Sequence, residues 1–147
     1  MGVASAGGAY KRVDVETASQ GKLIIMLFNG AIQRAEEAKR QMARGNIGQV
    51  HKHLVRAQDI LAELRGALDF SAGEVAQNLD RVYEYLGHLL VKANIYKDSA
   101  PLDECVTFMT ELRDTWQELF EQVSRRRADA PAPQINRHGS TVMDLQG

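Results

Sequence analysis

The chain has 147 residues, 44% of them hydrophobic and 25% charged, one domain's worth of chain with an ordinary globular balance. Lys and Arg total 18 against 19 Asp and Glu, a formal net charge of −1, which argues against a chain built to coat nucleic acid. No run approaches the roughly 20 apolar residues of a membrane span, the opening MGVASAGGAYKRVDVE lacks the apolar core of a signal peptide, and the lone Cys105 has no internal disulfide partner, so a cytosolic domain is expected.

The leader, about residues 1–16, is small and polar apart from Tyr10, Val13 and Val15. Helix one is expected over about 18–44, opened by Thr17-Ala18-Ser19-Gln20 as a capping box. It carries Ile24, Phe28, Ala31, Ala35, Ala38 and Met42 at steps of three and four. Gly45 suits the left-handed residue that ends a helix. Helix two, about 47–69, starts at Asn46-Ile47-Gly48-Gln49, a close variant of the box. Its apolar positions are Ile47, Val50, Leu54, Ala57, Leu61, Leu64 and Leu68. A second box, Ser71-Ala72-Gly73-Glu74, opens helix three, about 73–97, with Ala76, Leu79, Tyr83, Leu86, Leu90 and Ala93. The first of the 3 prolines, Pro101, suits a first helical turn. Asp103 and Glu104 favour the positive end of helix four, about 101–126, and Arg125, Arg126 and Arg127 its negative end. That helix carries Leu102, Cys105, Met109, Leu112, Trp116, Leu119 and Val123. Residues 128–147 are sparse in large apolar side chains and read as a disordered tail.

Alternating steps of three and four make a heptad seam on each helix. Short connections place neighbours antiparallel. An all-α, up-down-up-down four-helix bundle over residues 17–127 follows. The seams are not the whole apolar inventory. Leu23, Met26, Leu27 and Ile32 flank the first, Val55 and Ile60 the second, Val82 and Leu89 the third, and Val106, Phe108 and Phe120 the fourth. A helix apolar on two sides signals a wide core or a groove open to a partner helix.

Catalytic chemistry finds no footing. A di-iron bundle needs two Glu-x-x-His pairs; here Glu84 and His88 are four apart and nothing pairs with them. The other histidines, His51, His53 and His138, read as surface or packed residues. No phosphate-cradling glycine motif, H-E-x-x-H or G-x-S-x-G occurs. Cys105 occupies a seam position, as an inert buried thiol does. Histidine-phosphotransfer domains are similar bundles, but their exposed His is followed shortly by Lys and Gly, and no His here is. The three arginines at 125–127 stand without interleaved aromatics, which argues against a nucleic-acid surface. No enzyme activity, cofactor or metal is expected.

The order of short segments carries a resemblance. Ala9-Tyr10 precedes Val15-Glu16-Thr17-Ala18-Ser19, then Leu23-Ile24-Ile25-Met26-Leu27-Phe28-Asn29-Gly30-Ala31-Ile32. Ala57-Gln58-Asp59-Ile60 and Leu68-Asp69 follow, then Gly73-Glu74-Val75-Ala76-Gln77-Asn78-Leu79, Tyr83-Glu84-Tyr85-Leu86, Ala93-Asn94 and Leu112-Arg113-Asp114-Thr115-Trp116. Over about residues 9–123 the chain resembles the flagellar export chaperones of the FliS family. The resemblance implies an N-terminal segment packed on the antiparallel bundle. It implies a cytosolic chaperone of type III secretion export that binds the disordered C-terminal region of flagellin, about one-to-one, and holds it from premature polymerisation. The alternative is a bundle of the same fold serving another flagellar or secretion client, and family members also meet other flagellar regulators.

Tyr10 matches the family tyrosine linked to flagellin binding; a residue anchoring the leader is the other reading. Ile24, Leu27 and Ile32 on helix one, with Ile60, Val82, Leu89 and Val106 from the off-seam set, are the remaining expected flagellin contacts. Asn78 and Asn94 match family positions and read as structural hydrogen-bonding groups. The chain departs from the family at Gln20, where Pro is usual, and at Asn29, where Asp is usual. Gly87, His88 and Leu89 replace two basic residues, and Ser71-Ala72-Gly73 replaces Lys-Gly-Gly. Leu89 in place of a charge enlarges an apolar surface or favours weak homodimerisation.

Overall fold

Four helices account for nearly all of the computed structural model, which describes the backbone of residues 6–129 and side chains from residue 20 onward. Helix α1 runs Ala6–Ala43, α2 Ile47–Gly66, α3 Glu74–Tyr96 and α4 Ser99–Asp129, with one 3₁₀ turn at Phe70–Ala72 and no strand among the described residues. Helices α1 and α3 each pack on both α2 and α4 and lie diagonally opposite one another. Cross-links set the directions. Lys39 pairs with Asp103 at 2.6 Å, and Arg113 donates to Asn29 at 3.0 Å, so α1 and α4 run antiparallel. Arg65 meets Asp80 with two hydrogen bonds, and the Asn94 amide donates to His51 Nδ1, so α2 and α3 do too. The expected up-down bundle is the observed one.

The seams fill the centre. Phe28, Leu54, Leu64, Leu86, Leu90, Leu102 and Met109 are fully buried. Each such side chain contributes roughly 1.5–3 kcal/mol by leaving water. Ala31, Ala35 and Ala38 present almost no side chain, which lets α1 approach its neighbours closely. Phe28 and Tyr83 meet edge to face across the bundle axis, centroids 6.0 Å apart. Trp116 hydrogen-bonds the Tyr83 hydroxyl, though burial is what pushes that phenol's pKa up. The seams open at their ends, where Ile47 and Leu119 are exposed.

Helix starts or their caps differ from the sequence reading at four places. α1 begins at Ala6 and passes through Thr17–Gln20 without a break. No proline interrupts the first hundred residues, so nothing forces the helix to start at the cap-like tetrad. At the second expected box, the Ser71 hydroxyl donates to Asp69 at 2.6 Å and α3 starts after Gly73, which has no side chain to cap with. Asn46 does precede α2, but its amide donates to Gln41 rather than capping the helix. α4 starts at Ser99, because the Asp98 carboxylate accepts the Ala100 amide as an N-cap. Asp103 and Glu104 therefore fall beyond the first turn and serve Lys39 and Tyr85 instead. Gly45 does adopt the left-handed conformation at the α1–α2 turn (φ 75°).

The helices are unequal. α1 has 38 residues and spans about 57 Å, whereas α2 has 20 and spans about 30 Å. The first half of α1 and the end of α4 thus run on past the α2–α3 pair. Phe120 packs on Gly21 there, so closely that a methyl group on Gly21 would sit 2.6 Å from the ring.

Candidate binding surface

Helix α1 has more apolar residues than its seam uses, and the surplus defines the surface. Ile24 and Phe28 face inward; Leu23, Met26, Leu27 and Gly30 follow at i, i+3, i+4 and i+7 on an adjacent stripe. Leu23 is 48% exposed and Met26 66% exposed, while Leu27 is half-buried against the core. A Cβ on Gly30 would lie 3.4 Å from Ile60 Cδ1 of α2, so the stripe borders the α1–α2 groove, and the glycine keeps that groove low. Three off-seam residues together with a glycine at helical spacing are visible in the sequence; which of them stays uncovered is set by how α2 docks.

The eight expected contacts divide by burial. Ile32, Ile60 and Leu89 are buried in the core, where they widen it. Ile24, Leu27, Val82 and Val106 are partly buried and pack against it from outside. Tyr10 lies in an early turn of α1, and its side chain is outside the described residues. Leu23 and Met26, the most exposed apolar residues of the α1 stripe, were not among the eight.

The α3–α4 edge is polar by comparison. The Tyr85 hydroxyl donates to Glu104 across it, which raises the phenol's pKa. Asp103, Glu104, Thr107, Phe108 and Glu111 line a shallow depression on α4. Asn29 accepts from the Arg113 guanidinium, so a hydrogen bond from a charged donor to a neutral amide, rather than an ion pair, joins α1 to α4 there. Burial pushes the Cys105 thiol up to about 12, and it donates to the Leu86 carbonyl at 3.7 Å. Among the described residues there is no His, Cys, Asp and Glu cluster able to hold a metal ion, and no helix long and apolar enough to cross a membrane.

The sequence profile of the family described as flagellar protein FliS matches residues 3–123. The chain belongs to the FliS family. It is 34% identical to the flagellar secretion chaperone FliS of Vibrio cholerae, over 76% of this chain and 85% of that one. With the flagellar secretion chaperone FliS of Bacillus subtilis it shares 29% identity, over 81% of this chain and 89% of the relative. With the flagellar secretion chaperone FliSB of Pseudomonas aeruginosa it shares 36%, over 73% and 89%. The FliS profile ends near Val123, so the last turns of α4 lie past the shared region.

Proposed function

We propose that the chain is a cytosolic flagellar secretion chaperone whose client is the disordered C-terminal region of flagellin, bound one-to-one and withheld from polymerisation. The observation that supports this most is the Leu23–Met26–Leu27 stripe, an apolar row on α1 with Leu23 and Met26 uncovered and Leu27 half-buried beside them. Such a stripe suits the apolar face of a client helix, laid along the α1–α2 groove. Ile24 and Leu27 offer it their half-exposed edges, while Ile60 of α2 forms the floor beneath; Ile32 on the α4 side of α1, Val82 of α3 and Val106 of α4 stand off this groove and serve a client that wraps further round the bundle. Leu89, buried in the core, widens it instead of meeting the client. Tyr10 is counted a client contact on its match to the family tyrosine alone.

Ordering a disordered client costs several kcal/mol, about 2–5 or more, which the apolar contact must exceed. The chemistry needs no nucleotide: binding alone removes the client's apolar face from other subunits. Flagellin polymerisation followed by light scattering tests this. The chain added at one equivalent is expected to suppress growth, and Tyr10→Ala to suppress it less while melting as the wild type does. Unchanged polymerisation at several equivalents would overturn the reading.

A further inference from the structure

A second face carries apolar residues that the client surface does not use. The Asn94–His51 hydrogen bond ties α3 to α2. One turn from it, Val55 of α2 and Val91 of α3 lie level with each other, 38% and 39% exposed, on the outer side of the α2–α3 groove. Ile95, one turn along α3 from Val91, is 67% exposed. Gly87, one turn the other way, faces open space: a Cβ there would meet nothing within 4 Å.

The charge around this strip is of one sign. Residues 48–56 of α2 and 88–96 of α3 include Lys52, Arg56, Lys92 and three histidines, and no carboxylate, in a chain with 19 acidic residues. Lys52 and Lys92 are exposed and form no ion pair among the described residues. The nearest carboxylates, Asp59, Glu84 and Asp98, stand about a turn beyond, and Asp98 is taken up in capping α4. An apolar strip rimmed by unpaired cations complements an amphipathic helix with acidic flanks. The strip itself is aliphatic, and the one exposed aromatic at its end, Tyr96, offers no row on which successive bases could stack, which favours a peptide over a nucleic acid.

We propose that the outer α2–α3 groove, at Val55, Val91 and Ile95 between Lys52 and Lys92, docks an acidic amphipathic helix of a partner protein, independently of the α1 client stripe. The probe is a synthetic peptide of about 20 residues, with Leu at heptad positions and Glu on the flanks, titrated into the ¹⁵N-labelled full chain. Amide shifts are expected within 48–56 and 88–96. Lys52→Glu combined with Lys92→Glu should weaken binding at least about five-fold, with thermal unfolding unchanged because both side chains are exposed. Val91→Ser should weaken it as well. No shifts, an equal response to a Lys-flanked peptide of the same pattern, shifts confined to the Leu23–Met26 stripe, or tighter binding of a 20-nucleotide single strand would each overturn the proposal.

Discussion

Leu61, Leu112, Gly21 and Cys105 make claims that substitution or chemical labelling checks. Leu61 is buried in the α2 seam, and Leu61→Ala should cost about 2–5 kcal/mol in urea denaturation. A loss under about 1 kcal/mol would contradict its central packing. Leu112, which looks equivalent by spacing, is only partly buried, and its truncation should cost less. Gly21→Ala drives a methyl into the Phe120 ring and should cost about 1–3 kcal/mol, reduced when Phe120→Leu is present in the same chain. Additive effects of the two would mean the ring already moves aside. Cys105 is protonated at neutral pH, with its pKa raised to about 12 by burial. A thiol reagent should therefore label it only as fast as the chain unfolds. Because the folded pKa lies above the unfolded one, stability contributed by the neutral thiol is intact below about 9 and is lost as pH rises towards about 12.

Elements were legible where burial decides them. Spacing of three and four picked out Val50, Leu54, Ala57, Leu61 and Leu64 on α2, and all five are buried. Heptad spacing survives tertiary context because the same context produces it. Capping signals fared worse, since a hydroxyl has competing partners: Ser71 turns to Asp69, and Thr17 stands where the backbone is already helical. Carboxylates cap instead: Asp69 accepts the Ser71 amide at the 3₁₀ turn, and Asp98, which caps α4, sits in a two-residue connection just before a proline-containing first turn. Between α2 and α3, the Arg65 hydrogen bonds hold the Asp80 carboxyl below its ordinary range. A depressed carboxylate stabilises the fold above that range, and the contribution is lost as pH falls through the folded pKa. Asp80→Asn should therefore lose less stability than the wild type on acidification from pH 6 to pH 2. Identical acid limbs would remove this pair from the account.

At the scale of the whole molecule, two long helices flank two shorter ones, and α1 belongs to both the core and the surface. The fold class could be read from the sequence because each seam is continuous. The binding surface could be read only in part. Ile32, Ile60 and Leu89 have the same off-seam character as Leu23 and Met26, and only the docking of neighbouring helices decides that the former are covered. Asn29 and Arg113 fix that docking between α1 and α4, across 84 positions of sequence that periodicity alone does not connect.

Calorimetry of the full chain against the last 50 or so residues of the host's flagellin, repeated with Leu23→Asp and Met26→Asp together, tests the central claim directly. The account predicts binding near one-to-one by the wild type and a loss of at least about ten-fold, roughly 1.4 kcal/mol, in the variant, with the bundle still folded by circular dichroism. Equal affinity of the two chains would contradict the α1 stripe as the client surface, and no binding by either at tens of micromolar would contradict flagellin as the client.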